Sequence, residues 1–147
     1  MIKVNGSGTR SDLRDLQAAI HGALHQALRS AVDAATESAK STTLFNDQTG
    51  ATRGSIHGEV EGDAGFVEAG GAAGFLENGT PPHRIEGNPV LAFEMNGSVV
   101  FARYVDDHPG TAERPFMSEA QRVGEQTAAY AVDFFVGYAI DKSNRSS

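Results

Sequence analysis

With no cysteine in the chain, any metal would have to be held by histidines and carboxylates alone, and a thiol nucleophile is excluded. His21 and His25 stand four residues apart in a helical pattern, a spacing that can chelate zinc. Gly22, however, occupies the place where the zinc-protease pattern HExxH carries its glutamate base, so the pair reads as two surface histidines and no metal is expected. His57 alternates with glutamates on the polar face of a strand pattern and reads as solvated surface. His83 and His108 lie beside prolines in loops, where a histidine can serve as general base only if a nucleophile is close; no GxSxG motif supplies one. Glu77 and Glu86 flank the same loop, and paired carboxylates do acid and base work when they share a cleft. Glu77 reads instead as an acceptor of backbone or arginine hydrogen bonds that hold the loop. The phosphate loops GxxxxGK[ST] and GxGxxG are absent, and the Gly50, Gly54, Gly58, Gly62 series runs through a strand pattern. The expectation is a protein without catalysis or cofactor. A small hydrolase using His83 or His108 with Glu77 is the alternative from another class.

The elements that position these residues are organised around residues 72–85, AAGFLENGTPPHRI. Gly79 supplies a permissive φ, Pro81 and Pro82 fix two more, and Thr80 is driven toward extended conformations by the proline after it. Such a segment is a built loop, and residues 75–88 are expected to dock a partner, with Glu77 bracing the loop and Arg84 reaching a partner's carboxylate. Ahead of it, residues 1–10 form a lead-in with a possible edge strand through Ile2 and Val4. Ser11 is an N-cap candidate with Asp12 and Asp15 in the first turn. Leu13, Leu16, Ile20, Leu24, Ala27, Ala31 and Ala35 then trace an amphipathic helix to about Lys40. Its stripe thins from leucine to alanine, so its second half needs a neighbour at close range.

After a polar connection at 41–54 the period changes to that of a half-buried strand, with Ile56, Gly58 and Val60 on the face opposite His57, Glu59 and Glu61. Glycine on the apolar face lets a helix lie close. A second strand is expected at 66–69 across the Gly62 to Gly65 turn, whereas 72–77 reads equally as strand or helical turn. Past the loop, VLAFEMNGSVVFARYV at 90–105 predicts a hairpin about a two-residue type I′ turn at Asn96-Gly97. Phe93 then faces Val100, Leu91 faces Ala102, and the opposite face carries Phe101 and Val99. With one face covered by helices, the Val99 and Phe101 face is left as a subunit contact. Residues 106–114, containing His108, Pro109 and Gly110, read as a polar turn. Pro115 opens a second helix striped by Phe116, Ala120, Val123, Thr127, Ala131, Phe134 and Tyr138 to about residue 140, with a frayed tail at 141–147. The predicted fold is α+β: one domain over 1–147, a two-layer sandwich of a long helix, an antiparallel sheet with the hairpin, and a C-terminal helix.

The net charge is −7, and residues 47–94 carry eight of the carboxylates against Arg53 and Arg84, six of the seven charges. That surface repels phosphate backbones, so nucleic-acid binding is not expected. The longest apolar run, 128–140, is too short to span a bilayer and contains Asp133. The first ten residues have no signal-peptide core, so neither membrane insertion nor export is expected.

In order and spacing the motifs resemble one family, the tail-completion or head-tail neck proteins of long-tailed bacteriophages. The resemblance is carried by Thr49-Gly50 leading to Ser55-Ile56 after a long helix, by Leu76-Glu77-Asn78-Gly79-Thr80 followed by Pro-Pro-His, and by His108-Pro109-Gly110-Thr111 leading to Arg114-Pro115-Phe116-Met117 and Ala120. It spans about residues 11–140. It implies a non-enzymatic virion protein, assembled in the bacterial cytoplasm into a homo-oligomeric ring between the head connector or stopper and the tail-terminator or tail-tube proteins. The implied assembly interface is Glu77, Gly79, Thr80, Pro81, Pro82, His83, Arg84, Val99, Phe101, Pro109 and Gly110. A tail-terminator ring and a host-directed binding module are the other readings.

Overall fold

The computed structural model describes residues 7–145, so the edge strand considered through Ile2 and Val4 lies outside the described residues. The fold is α+β, in the order α1 (Ser7–Ser41), α2 (Ala51–Ser55), β1 (His57–Glu61), β2 (Ala64–Glu68), α3 (Ala73–Asn78), β3 (His83–Met95), β4 (Ser98–His108) and α4 (Phe116–Arg145). The strands form two separate antiparallel hairpins, β1-β2 and β3-β4.

The long helices α1 and α4 run antiparallel, because Ala35 and Ala31 meet Gly124, whereas Leu24 meets Val132 and Asp12 lies beside Lys142. They lie close at Gly124, where an added Cβ would sit 3.1 Å from Ala35 Cβ and 3.3 Å from the Ala31 carbonyl oxygen. The alanine half of α1 is therefore the buried half: Ala23, Ala27, Ala31, Ala35 and Ala39 are all covered, while Leu13 and Leu24 are exposed. Small side chains bury little area each, but they let two backbones and a hairpin converge, which multiplies close contacts. The hairpin is β1-β2, and glycine places it on α1. A Cβ at Gly58 would lie 2.6 Å from Val32 Cγ1, and one at Gly65 would lie 2.4 Å from Val32 Cγ2.

The remaining core gathers Ala39, Phe45, Ile56, Ala73, Phe116 and Ala120, with Phe45 and Phe116 edge to face at 4.9 Å between centroids. Arg53 anchors the connection from α1. Its guanidinium donates to the carbonyls of Lys40, Thr42 and Phe45 and lies over the Phe45 ring, supplying a cation to carbonyls that end α1.

Several sequence expectations are corrected. Ser11 is inside α1 rather than its N-cap, since the helix already runs from Ser7. Residues 72–77 resolve as helix α3, and β2 starts at Ala64. The expected loop contracts to 79–82 because β3 begins at His83, and the polar turn at 106–114 starts only after His108. The last helix continues past residue 140 to Arg145, where an Arg145–Asp141 pair at 2.7 Å joins successive turns of what was expected to be a frayed tail.

Candidate assembly surface

Glu77 ends α3 and binds the start of α4. Its Oε2 accepts from the Met117 N–H (2.8 Å), and its Oε1 accepts from the Ser118 N–H (3.0 Å) and the Ser118 hydroxyl. The first turn of a helix has amide hydrogens with no partner inside the helix and a positive dipole end, and a carboxylate answers both needs. Here the cap comes from 40 residues away. Both oxygens of Glu77 are committed to that cap.

The segment after Glu77 is clasped to the segment before α4. Thr80 and Thr111 exchange backbone hydrogen bonds of 2.9 and 3.1 Å, the Thr111 N–H also donates to Thr80 Oγ1, and the Arg114 N–H donates to the Leu76 carbonyl at 2.7 Å. Glycine is required on both sides. Gly79 (φ 65°) would place a Cβ 2.6 Å from the Thr111 oxygen, and Gly110 (φ 82°) would place one 2.1 Å from the Thr80 oxygen. Gly79, Thr80 and Gly110 thus form an internal corner, while Pro81, Pro82, His83 and Pro109 face solvent above it. His83 and His108 are partners across the base of the hairpin, with ring centroids 5.2 Å apart. The His83 Nδ1 makes a 2.8 Å hydrogen bond with the Pro81 carbonyl oxygen, and the Gly110 N–H donates to His108 Nδ1.

Arg84 does not stand ready for a partner's carboxylate, as the sequence led us to expect. It pairs with Glu86 and Asp106, each at 3.1 Å, and its guanidinium lies 4.1 Å from the centre of the Tyr104 ring. Strand pairing explains the difference: Glu86 is opposite Tyr104, so Arg84 and Asp106 fall near one another at the base of the hairpin.

From this corner β3 and β4 project as an arm of roughly 35–40 Å at the usual rise of a strand. The register about the turn is the expected one, from Met95–Ser98 to Leu91–Ala102, and Asn96 (φ 55°) with Gly97 (φ 78°) forms the type I′ turn. The Val90–Arg103 pairing expected next is absent, because residues 87–90 bulge opposite Arg103 before pairing resumes at Glu86–Tyr104. The bulge contains Pro89, which has no amide hydrogen to give to a ladder. Among the described residues the expected helix cover is absent too: no residue of the arm is buried and neither strand packs along a helix. The Leu91, Phe93, Val100 and Ala102 face is only half-buried. The opposite face exposes Phe101 (69%) and Val99 (65%).

A second apolar surface, on α4, was not read from the sequence. Tyr130, Phe134 and Tyr138 fall at steps of four and are 80%, 68% and 63% exposed, so the expected inward stripe is wrong at Phe134 and Tyr138, whereas Ala131 is buried as expected. The buried face runs through Phe116, Ala120, Gly124 and Ala131. Gly124 is where Ala31 and Ala35 of α1 come within reach of the α4 backbone, a close contact signalled in the sequence by a glycine in an apolar helix.

No protein-family model, curated protein or solved structure matches the chain.

Proposed function

We propose that this chain is a ring-forming structural subunit of a tailed-bacteriophage neck, completing the junction between head connector and tail. The observation that carries the reading is the arm, a hairpin with apolar side chains on both faces and, among the described residues, no helix packed along it. An exposed apolar surface of this kind marks an interaction site. The exposed aromatic stripe on α4 supplies a second, different surface. When two unlike patches of one molecule meet between copies, the contact is heterologous and closes into a ring if the rotation permits. In this proposal the arm of one subunit lies against the α4 stripe of the next, and the exposed Pro81, Pro82 and Pro109 corner faces the adjacent ring. The motif residues of the sequence resemblance support the reading because they converge: Ile56, Leu76 and Phe116 in the core, Glu77 on the α4 cap, and Gly79, Thr80, Gly110 and Thr111 in one clasp. The net negative charge suits a passage that does not hold phosphate backbones.

The test is Phe101→Asp. Because Phe101 is exposed in the subunit, the variant is expected to fold as well as the parent yet fail to assemble, since each subunit contact loses a buried ring worth about 2–3 kcal/mol and gains a buried charge. Size measurement of the purified chain, alone and mixed with its head-side and tail-side neighbours, reads the effect. Complementation of a deletion phage should then give filled heads with detached tails. The neighbour that captures the ring separates a completion ring from a tail-terminator ring. Infectious particles at parental yield from Phe101→Asp would overturn the proposal.

A further inference from the structure

Three side chains of metal-binding type converge where the β1-β2 turn meets α1. His21 and His25 are one turn apart on α1, and Asp63 lies in the Gly62-Asp63 turn that joins β1 to β2. One ligand atom from each lies within 4.8 Å of the other two, and His25 Nε2 stands 3.9 Å from Asp63 Oδ1. We propose that these residues form a binding site for one divalent transition-metal ion of the zinc class, which staples the β1-β2 turn to α1.

Gly22 stands where a zinc hydrolase carries a glutamate after its first histidine. That glutamate is the base of a hydrolase, and a structural ion has no use for it. A binding ion needs a third donor, which the tertiary fold supplies from 38 positions further along the chain. The backbone sets that donor's position. Gly58 sits against Thr36 and Val32, Gly65 against Val32 and Leu28, so the hairpin descends α1 toward its N-terminus and its turn arrives over His25. The donors themselves can adjust: Asp63 is 86% exposed and His25 40%, measured on their side chains. Four-coordinate zinc with bonds of about 2.0–2.1 Å sets its ligand atoms about 3.4 Å apart, so closing from the observed spacing asks for small side-chain rotations only. Without an ion, the His25–Asp63 approach is a long, exposed pair of a kind that contributes little. Two imidazoles and one carboxylate suit zinc, cobalt, nickel or copper over calcium and magnesium, which take oxygen ligands. His21, His25 and Asp63 line a cavity of about 410 Å³ together with Leu24, Leu28, Ala128 and Val132, and in the proposed complex a water completes the coordination.

The inference is independent of the neck reading, and its test uses the full-length chain without an affinity tag, stripped with chelator. Calorimetric titration with Zn²⁺ should give one ion per chain, Co²⁺ should develop the visible absorption of a four-coordinate site, and Zn²⁺ should raise the melting temperature. His25→Ala and Asp63→Ala should each weaken Zn²⁺ binding at least tenfold and abolish the thermal shift, with circular dichroism confirming the fold. His57→Ala and His83→Ala should bind as the parent does. Binding unchanged by Asp63→Ala, or lost in His83→Ala, would place the ion elsewhere and overturn the site; so would the absence of stoichiometric binding.

Discussion

Replacing Glu77 by alanine removes every side-chain cap on α4 that reaches it from α3: two backbone amides and one hydroxyl lose their acceptor. Loss of an N-terminal cap costs about 0.5–2 kcal/mol, and loss of a negative charge at a helix N-terminus costs about 0.3–1 kcal/mol when exposed and up to ~2 in a partly buried setting. Glu77 is partly buried, so the two effects together give about 2–3 kcal/mol for Glu77→Ala. Glu77→Gln keeps one oxygen acceptor and loses the charge, for about 1–1.5 kcal/mol. In a chain of this size each kcal/mol moves the melting temperature by about 2–4 °C, so Glu77→Ala should melt roughly 5–10 °C lower. Urea unfolding at unchanged m-value, at a concentration where the chain is monomeric, measures the free energies directly. Glu125→Ala is the control: Glu125 is exposed on the same helix and accepts from Gln121 at 2.8 Å, and its loss should stay within about 0.5 kcal/mol. A Glu77→Ala variant as stable as that control would refute the capping argument.

The close approach of β1-β2 to α1 predicts that Gly65→Ala, whose Cβ would lie 2.4 Å from Val32 Cγ2, destabilises by about 1–3 kcal/mol. Gly54→Ala in α2, with no atom within 4 Å of the new methyl, should be neutral or gain about 0.4–1 kcal/mol; denaturation curves compare the two. Gly110→Ala combines a left-handed φ with a Cβ 2.1 Å from the Thr80 oxygen, so it should cost at least about 2 kcal/mol and speed hydrogen exchange at the Thr80 and Thr111 amides. Exchange as slow as in the parent would mean that the clasp accommodates a side chain. Pro81→Gly with Pro82→Gly changes two exposed residues above the clasp and should leave the melting temperature nearly unchanged while weakening capture by the adjacent ring; equal capture in a pull-down would place the contact elsewhere.

Local features of this protein were legible in its residues because they obey local rules. Asn96-Gly97 specifies its turn and, through it, the pairing from Met95–Ser98 to Leu91–Ala102. The periodicity from Leu13 onward marks a long helix, and glycine on an otherwise apolar strand face marks the close approach of Gly58 to α1, whereas Gly65, read as part of a turn, lies in β2 and packs on α1 as well. The α+β class follows from the order of those patterns. Tertiary structure decided what surface each element keeps. An apolar side chain in sequence carries no label for burial or exposure, and only the packing of α4 in the fold left Tyr130, Phe134 and Tyr138 exposed while burying Ala131. The arm's apolar faces were visible from residue 90 onward, but its lack of cover was not, because that depends on where α1 and α4 spend their own contacts. Glu77 and Arg84 were read as charged residues flanking a loop, but they lie in α3 and β3, and their partners Asp106 across the strand pair and Met117 and Ser118 at a distant helix start came only from the tertiary fold. Asp63 beside His21 and His25 is the same case: the i, i+4 pair is a property of one helix, and its third member exists only because glycine lets a hairpin lie on that helix at that height.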